Sequence, residues 1–334
     1  MLMPADLSAN SPTDARVIAL VEEQLASRNW GILSTQGYVL GIDLGVYGLR
    51  AALIDMQQQT YASAHADVQS TNPYAMTQDA LALAHDLLAE YEVSLDKLLR
   101  VGVGFGGPVD TQRGEVRVSP RMAGWEGFRL RDEVEQAFDT VTLLENDANL
   151  IALGEAFFGV GKDSSHLFYL HLSSGVGGGL VVQDRLYQGS TDIAGEIGHV
   201  AVIPTPPDQP IVTLEQIASV SGLLQRARVA GLETDNLRDV FGDNPIAQQV
   251  VAETANLLGL RLAQVSALVD PQLIVLGGII IRLSGAAFIT QIAEHMHRYH
   301  APHIAHPLPI VASVLGADSV AVGALALALS SLGD

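Results

Sequence analysis

The sequence predicts an α/β protein built of two lobes, and three observations lead to that fold class. The chain has 334 residues, more than a single hydrophobic core usually supports. Hydrophobic residues make up 48% of it and charged residues only 16%, a balance typical of packed globular proteins. A strand, a glycine turn and a second strand occur near residue 45 and again near residue 176, which indicates an internal quasi-repeat.

The first half of the chain begins with helix-start signals and continues with strands. Ser11-Pro12-Thr13-Asp14 provides a helix cap, a proline at the first helical position and an acid in the first turn. We therefore expect a helix to about Arg28, after a disordered segment 1–10. Apolar runs between glycine turns then indicate strands. We predict strands over 38–43, 49–55, 60–68, 99–105 and 141–144, and helices over 73–90, 130–138 and 148–158.

The second half repeats the order of strand, turn and strand and then becomes mainly helical. We predict strands over 167–172, 180–183, 273–276 and 308–313, a glycine-rich turn over 173–179, and helices over 214–230, 247–269, 284–297 and 319–329. The last helix is expected to pack back on the first lobe. The predicted organisation is an N-terminal tail and helix (1–36), a smaller α/β lobe (37–145 with 317–334) and a larger α/β lobe (146–316), with an interlobe cleft.

Charge and composition exclude several classes of function. The formal net charge of −19 makes nucleic acid and anionic membranes unfavourable partners. The chain has no cysteine, which excludes disulfides, thiolate nucleophiles and cysteine-ligated zinc. It shows no signal-peptide pattern, and its longest apolar runs, such as 273–281, are too short to span a bilayer. We therefore expect a cytoplasmic protein.

The run Glu145-Asn146-Asp147-Ala148-Asn149 is the first candidate site. It follows a predicted strand and opens a predicted helix, where Asp147 could either cap the helix or point into the site as a base. The neighbouring amides favour the second interpretation, because sugar hydroxyls need groups that both donate and accept hydrogen bonds. We therefore expect a polyol opposite Asp147.

Three further segments carry candidate ligand groups. The glycines of the second turn, Gly175, Gly177, Gly178 and Gly179, leave backbone N–H groups open to an anion, although glycines serve equally to bring two strands close together. Gly195-Glu196-Ile197-Gly198-His199 forms a second polar cluster. Glu215 begins a helix beyond a proline-rich loop, where it is either a ligand group or a favourable first-turn charge.

Five histidines near the end of the chain could suggest a metal site: His295, His297, His300, His303 and His306. A polar helix end followed by a loop explains them equally well, since histidine is favourable near a helix C-terminus. Pro302 and Pro307 break any single-faced array, and a metal needs three or four converging ligands. We therefore expect no metal there.

At this point the sequence resembles a known family. It is similar to the ROK family of repressors, open reading frames and sugar kinases over nearly all of residues 37–332. The motifs that carry the resemblance are Gly41-Ile42-Asp43-Leu44-Gly45, Gly106-Gly107-Pro108-Val109-Asp110, Glu145 to Asn149 with Ala152-Leu153-Gly154-Glu155, Ser174-Gly175-Val176-Gly177-Gly178-Gly179, Glu196-Ile197-Gly198-His199, Leu214-Glu215 and Val275-Leu276-Gly277-Gly278.

The resemblance implies a fold, cofactors and a role for each matching residue. The implied fold is the actin-like ATPase duplication, which is ribonuclease H-like, with a sugar as substrate, ATP with Mg²⁺ as cofactor and a homodimer as the assembly. Asp147 would be the base toward the acceptor hydroxyl. The residues that would hold the sugar are Gly107, Asn146, Glu196, His199 and Glu215. On the nucleotide side, Asp43 would lie near the magnesium, and Gly277 and Gly278 would lie beside the adenosine. The phosphates would be surrounded by Gly45, Ser174, Gly175, Gly177 and Gly178.

The sequence departs from the family pattern at four places. The first glycine turn is Gly45-Val46-Tyr47-Gly48, where the kinases usually continue with Gly-Thr-Lys, and Ser174 replaces the usual Thr of the second turn. Arg121 stands where kinases often present an Asn to the sugar, which suggests a changed or charged ligand. The cysteines of the family's zinc site are replaced within 200–213, so no zinc is expected.

Two functions remain open from the sequence, and we favour the first. One is an ATP-dependent hexose kinase of glucokinase type, a transferase in which Asp147 deprotonates the hydroxyl that attacks the γ-phosphate. The other is a non-catalytic sugar sensor, like the effector domain of the ROK repressors for xylose or N-acetylglucosamine. The altered first turn favours the sensor, as does the segment 37–41, which resembles the join to a DNA-binding domain, whereas that domain itself is missing.

Overall fold

A computed structural model describes residues 14–28, 36–119, 121–204, 206–301 and 307–332. Some residues for which the sequence makes predictions lie outside the described residues, namely segment 1–10, Ser11 to Thr13, His303 and His306. The contacts divide the chain into two compact units. The first unit comprises the described residues of Met1–Asp163, Arg185–Ala194 and Val314–Asp334, and the second those of Ser164–Asp184 and Gly195–Ser313.

The described elements include runs of consecutive strands, such as β1 to β3, and a run of consecutive helices, α5 to α8. The helices are α1 (Ala15–Ser27), α2 (Pro73–Glu90), α3 (Leu130–Phe138), α4 (Asp147–Phe157), α5 (Leu214–Ala218), α6 (Val220–Val229), α7 (Leu237–Val240), α8 (Pro245–Val269), α9 (Ile279–Arg298) and α10 (Ser319–Ser330), with 3₁₀ turns at Leu95–Lys97, Ile197–His199 and Gly316–Asp318. The strands are β1 (Tyr38–Gly45), β2 (Gly48–Asp55), β3 (Thr60–Ala66), β4 (Leu98–Phe105), β5 (Val109–Asp110), β6 (Glu115–Val116), β7 (Thr142–Asn146), β8 (His166–Leu172), β9 (Val176–Val182), β10 (Arg185–Leu186), β11 (Leu273–Gly277) and β12 (Ile310–Ala312).

The first unit is built on a mixed sheet in the order β3-β2-β1-β4-β7. The pairs β1–β2 and β2–β3 are antiparallel, while β1–β4 and β4–β7 are parallel. Helix α10 packs directly on this sheet, as expected for the small-residue helix. A Cβ at Gly41 would lie 2.4 Å from the carbonyl oxygen of Ala321, and one at Gly102 would lie 2.0 Å from that of Ala324. Both glycines are therefore required by the close approach of helix and sheet.

Helix α4 belongs to the first unit, whereas the sequence analysis placed it in the larger lobe. It packs against α10 so closely that a Cβ at Gly323 would lie 2.0 Å from the carbonyl oxygen of Leu150. The Glu155 side chain reinforces this packing, because its Oε1 accepts hydrogen bonds from the backbone N–H groups of Val314 (3.0 Å) and Leu315 (3.3 Å). The Asp147 end of α4 is therefore fixed to the same unit as Asp43.

Helix α1 begins at Ala15, and its cap lies three residues after the cap predicted at Ser11. Its N-cap is Asp14, whose Oδ1 accepts a hydrogen bond from the Arg16 N–H at 2.9 Å, rather than serving as an acid of the first turn. The buried face contains Val17, Val21 and Leu25. This face packs beside β3, where the Glu22 carboxylate accepts a hydrogen bond from the N–H of Tyr61 at 3.3 Å. The helix thus covers the edge strand of the first sheet.

The second unit repeats the strand pattern of the first. Its strands follow the order β9-β8-β11-β12, with β8–β9 antiparallel and the pairs β8–β11 and β11–β12 parallel. An antiparallel hairpin beside parallel strands therefore occurs in both units, which confirms the quasi-repeat. The glycine-rich segment was predicted as a turn to residue 179, but β9 already begins at Val176. The reason is close packing, since a Cβ at Gly178 would lie 2.9 Å from the Phe168 ring.

Two predicted helices of the second unit have different limits. The helix predicted over 214–230 is broken into α5 and α6 at Ser219, which has extended backbone (φ −78°, ψ 168°) and caps α6. The break lets the Val220 N–H donate to the carbonyl oxygen of Ser173 at 2.9 Å. Helix α9 begins at Ile279 and is kinked at Gly285, where φ is +68°. Among the described residues, no helix is long and apolar enough to cross a membrane.

Candidate functional site

The junction between β7 and α4 distinguishes the two roles that the sequence left open for Asp147. Asn146 is the N-cap of α4, and its Oδ1 accepts hydrogen bonds from the N–H groups of Ala148 (2.9 Å) and Asn149 (3.4 Å). Its Nδ2 donates to the carbonyl oxygen of Gly107 at 3.1 Å. Asp147 is the first helical residue, so the helix does not depend on it for its cap.

The Asp147 carboxylate lies beside the glycine turn that follows β4. Its Oδ1 accepts a hydrogen bond from the Ala148 N–H at 2.8 Å. A Cβ at Gly106 would lie 3.5 Å from its Oδ2, so this glycine keeps the space next to the carboxylate open. The turn and the start of α4 together place Gly106, Gly107, Asn146 and Asp147 at one end of the first sheet.

Glu145 and Asn149 support this junction from inside. Glu145 is 1% exposed, and its Oε1 accepts hydrogen bonds from the N–H of Asn146 (2.8 Å) and from Asn149 Nδ2 (2.9 Å). Its Oε2 accepts one from Gln188 Nε2 at 2.5 Å. Burial raises the pKa of Glu145, and these hydrogen bonds oppose that rise. Asn149 is itself buried, so its amide stabilises Glu145 instead of facing a polyol.

Asp43 lies at the end of β1 that carries the predicted magnesium site. It is 8% exposed and pairs across the hairpin with Arg50 of β2. Burial is the main cause that raises the pKa of Asp43, the negative charges of Asp147 and Asp318 also raise it, the Arg50 guanidinium lowers it, and the resulting pKa is about 8. Two interacting carboxylates are a suitable start for an Mg²⁺ site, because Mg²⁺ binds through one or two carboxylates together with phosphate oxygens.

The raised pKa of Asp43 predicts a pH dependence of stability. The pKa of about 8 in the folded protein lies above the ordinary value of 3.8, so the folded state holds a proton that the unfolded chain releases. This contribution is complete below the ordinary value and is lost as the pH rises through about 8. We expect the free energy of unfolding, measured by urea titration without ligand, to fall between about pH 4 and pH 8.

The matching variant is Asp43→Asn, which cannot titrate. It should show a shallower fall over the same range, and the remaining slope should come from other groups such as Glu145, whose pKa is also raised. Identical slopes for the two proteins would contradict the assignment to Asp43.

A buried ion pair that the sequence analysis did not identify lies behind Asp43. Arg50 Nη1 is 2.6 Å from Asp318 Oδ1, and both side chains are almost completely buried. Asp318 Oδ2 also accepts hydrogen bonds from the hydroxyls of Tyr61 and Ser63, each at 3.3 Å. The one available signal was a single arginine inside the apolar run of β2. This network links β2, β3 and the segment before α10, and it holds a positive charge next to Asp43.

The first glycine turn closes tightly around the residues that depart from the family pattern. Gly45 and Gly48 are paired in the β1–β2 hairpin, so Val46 and Tyr47 form a two-residue turn. A Cβ at Gly45 would lie 3.0 Å from the Gly48 carbonyl oxygen and 3.3 Å from Asp43 Oδ1. Val46 packs against the hydrophobic core of the first unit. The two positions of the turn are therefore filled by Val46 and Tyr47, the residues at which the sequence departs from the Gly-Thr-Lys pattern.

Arg121 lies on the exposed side of the same end of the sheet. Its Nη2 is 3.4 Å from the carbonyl oxygen of Gly106, the residue that borders Asp147. The structure thus brings Arg121 to the turn that carries the predicted sugar-binding residues of the first unit. A guanidinium there adds a positive charge beside the turn that borders Asp147.

In the second unit, the backbone of Val176 contacts two of the predicted sugar-binding segments, the turn Ile197–His199 and the start of α5. Its N–H donates to Glu215 Oε2 at 3.0 Å. A Cβ at Gly198 would lie 1.9 Å from its carbonyl oxygen, so the 3₁₀ turn Ile197–His199 packs directly on the start of β9. Within that turn, His199 Nε2 lies 3.4 Å from Glu196 Oε2. Glu196, His199 and Glu215 are therefore held around one backbone position.

Several glycines of the second unit are in close contact with neighbouring parts of the same unit. The Gly178 N–H donates to the carbonyl oxygen of Gly195 at 2.8 Å, which corrects the expectation that this amide is open to an anion. A Cβ at Gly277 would lie 2.3 Å from the Tyr169 hydroxyl, and one at Gly278 would lie 2.2 Å from the carbonyl oxygen of Leu172. Gly278 also has a φ of +93°. These glycines are needed for the close approach of strands and helix, whatever else they bind.

The histidines at the end of α9 are bonded individually. His300 Nε2 lies 2.8 Å from Ser266 Oγ, and His297 Nδ1 lies 2.7 Å from the carbonyl oxygen of Ala293. Within the ranges that the structure describes, no group of three or more His, Asp or Glu side chains is arranged to hold a metal ion.

The comparison with known proteins agrees with these motifs. The ROK family matches residues 39–331, which is most of the chain. This protein belongs to the ROK family. It is 28% identical over 317 residues to a glucokinase of Halalkalibacterium halodurans, covering 87% of this chain and 94% of that one. It is also 23% identical over 306 residues to a xylose repressor of Bacillus spizizenii, covering 86% of this chain and 76% of that one.

A solved structure extends the likeness of this ROK protein to the fold. The ROK family glucokinase of Streptomyces griseus, in complex with glucose and AMPPNP, superposes with a TM-score of 0.71 at 25% identity, covering 88% of this chain and all of that one. The fold is therefore the actin-like ATPase fold that the resemblance implies.

Proposed function

We propose that this ROK protein is an ATP-dependent hexose kinase in which Asp147 is the base. The observation that carries the proposal is the arrangement at the end of the first sheet. Asn146 supplies the cap of α4, which leaves the Asp147 carboxylate beside Gly106 and close enough to Asp43 to raise its pKa. A base and a candidate cation ligand on one sheet end are what phosphoryl transfer requires.

In the proposed reaction, a sugar hydroxyl attacks the γ-phosphorus of ATP. Asp147 takes the hydroxyl proton, the new bond forms between the sugar oxygen and phosphorus, and the bond to the β-phosphate oxygen breaks to release ADP. Mg²⁺ held through Asp43 would neutralise charge on the phosphates. The remaining contribution of the protein is positioning, which fits the rigid hydrogen bonding of Asn146 and Glu145.

The sugar side of the proposal uses the residues that match the family motifs. Gly107, Asn146 and Arg121 in the first unit, and Glu196, His199 and Glu215 in the second, are proposed to bind the sugar. Gly45, Ser174, Gly175, Gly177, Gly277 and Gly278 are proposed for the nucleotide. The glucokinase relative and the glucose complex of a ROK glucokinase support a hexose as the substrate. A homodimer remains a prediction from the family resemblance.

A sugar sensor is the second candidate, and the first glycine turn favours it. Val46 and Tyr47 occupy the two positions of the tight turn, so this turn offers a phosphate no threonine hydroxyl. The likeness to a xylose repressor points in the same direction. A protein of this kind would bind sugar through the same residues without transferring a phosphate.

A coupled ADP-release assay over neutral hexoses, N-acetylhexosamines and uronic acids would test the proposal, run beside calorimetry of sugar binding with and without Mg-ATP. We expect sugar-dependent ADP release with at least one hexose. Faster release with a uronic acid than with its neutral hexose would assign Arg121 to an anionic substituent. Sugar binding with no nucleotide binding and no ADP release would reject the kinase in favour of the sensor.

A further inference from the structure

The two ends of segment 200–213, which connects the candidate sugar-binding segments of the second unit, pair with each other as a short antiparallel ribbon. The Leu214 N–H donates to the carbonyl oxygen of Val200 at 3.1 Å, and the Val202 N–H donates to that of Val212 at 2.8 Å. Ala201 and Thr213 form an antiparallel bridge between these two bonds. The base of the ribbon is therefore regular, although the ribbon carries many exposed apolar side chains.

Both ends of the ribbon continue directly into site residues. Val200 follows His199, the last residue of the 3₁₀ turn packed on β9. At the other end, Thr213 caps α5, with the Thr213 Oγ1 accepting from the Gln216 N–H at 3.3 Å, and the next residues include Glu215. A displacement of the ribbon would consequently move both His199 and Glu215.

One side chain of α8, that of Arg261, forms hydrogen bonds to the backbone of this ribbon. Arg261 Nη2 donates to the carbonyl oxygens of Ala201 (3.0 Å) and Val202 (2.5 Å), and Nη1 donates to Gln264 Oε1 at 2.8 Å. Hydrogen bonds from a charged donor are stronger than those between neutral groups, and the planar guanidinium can reach two carbonyls at once. Arg261 is thus the bridge from the ribbon to a long helix of the unit's core.

A metal cannot perform this role in the present chain. The zinc site that the family resemblance implies needs cysteines, and the whole sequence has none. Between residues 200 and 213 the sequence offers one carboxylate, Asp208, and no histidine, which is too few ligands for a tetrahedral zinc site. The residues present do not fit zinc.

We propose that Arg261 is a positioning residue that orders the ribbon 200–213 in place of a metal, and thereby fixes Glu215 and His199 for the sugar. The part concerning the sugar rests on the proposed function. The part concerning the ribbon does not, because the hydrogen bonds of Arg261 to the ribbon are independent of any reaction.

Hydrogen–deuterium exchange and sugar titration of the full chain test the proposal with three variants. Arg261→Ala removes the guanidinium, Arg261→Lys keeps the charge without the fork, and Gln264→Ala removes only the Nη1 partner. For Arg261→Ala we expect exchange at the Val202 and Leu214 amides to rise about tenfold or more, the amount expected from losing charged hydrogen bonds. Arg261→Lys should be intermediate, and Gln264→Ala should match the parent protein.

The kinetic readout separates positioning from general damage. Arg261→Ala should raise the sugar KM about tenfold, while kcat and the KM for ATP stay within about twofold. If the kinase proposal fails and only sugar binding remains, the same tenfold change should appear in the calorimetric Kd. Treatment of the parent protein with a zinc chelator should leave exchange and Tm unchanged.

The proposal is overturned by unchanged exchange in 200–213 for Arg261→Ala, or by a chelator that loosens the ribbon of the parent protein. It is also overturned if kcat and both KM values change together, because that pattern indicates a general structural defect. Absence of phosphorylation in the parent protein would reject the proposed function alone, since the exchange experiment needs no substrate.

Discussion

Replacement of Asp147 by asparagine is expected to lower the turnover number about a hundredfold or more, with little change in sugar affinity. A positioned base contributes this much because it accepts the proton as the hydroxyl attacks, while the amide of asparagine cannot accept it. Steady-state kinetics for kcat, with calorimetry for sugar binding, measure the two quantities separately.

Asparagine suits this position because it preserves the local structure. The bond from the Ala148 N–H to Asp147 Oδ1, 2.8 Å long, can be kept by the amide oxygen, and Asn146 continues to cap α4. The variant should therefore fold normally. Because the charge of Asp147 contributes to the raised pKa of Asp43, that pKa should also fall in the variant.

Asp132→Asn is the matched control. Asp132 lies in the first turn of α3 in the same unit, and its carboxylate pairs with Arg129 Nε at 2.8 Å on the exposed surface. Both changes replace a carboxylate by an amide in the first turn of a helix, but Asp132 is not one of the candidate site residues. Its turnover should equal that of the parent protein. An unchanged turnover in Asp147→Asn would remove Asp147 from the role of base.

Local patterns predicted most elements of the fold. Helix α3 occupies the predicted residues, and helices α2, α4 and α10 follow the prediction to within a residue or so. The predictions failed where a contact with a residue distant in the sequence overrode the local sequence pattern. Glycines at 177–179 suggest a turn, yet they lie in β9, where a Cβ at Gly178 would lie 2.9 Å from the Phe168 ring and 3.1 Å from the Gly195 carbonyl oxygen. Ser219 interrupts a helix because the next backbone N–H bonds to Ser173.

The candidate site was predictable where motifs of side chains mark it and hidden where the backbone or distant residues form it. Asp147, Asn146 and Glu196 stand in recognisable runs, whereas Val176 contributes only its N–H and carbonyl groups. Arg50 and Asp318 are 268 positions apart, so no spacing rule could pair them. Arg261 likewise lies about sixty positions beyond the ribbon it fastens.

The second large effect concerns the Arg50–Asp318 pair. We expect Arg50→Met to lower the free energy of unfolding by about 3–5 kcal/mol, the usual loss when one partner of a buried ion pair is removed. The distance of 2.6 Å and the burial of both side chains mean that the variant leaves the buried Asp318 without its cation, and the partners described above that remain are the hydroxyls of Tyr61 and Ser63. Urea unfolding gives the value directly.

Two further variants show whether the loss comes from the stranded charge. Arg50→Met with Asp318→Asn should recover part of the lost stability, because the neutral amide can still accept from Tyr61 and Ser63. Arg113→Met breaks a similar pair with Glu115, but the Arg113 side chain is 74% exposed, so it should cost less than about 1 kcal/mol. Equal losses for Arg50→Met and Arg113→Met would show that burial gives this pair no special weight. A large loss in Arg50→Met but not in Arg113→Met would instead show that this ion pair stabilises the position of β2. Strand β2 carries the Arg50 cation that lies beside Asp43.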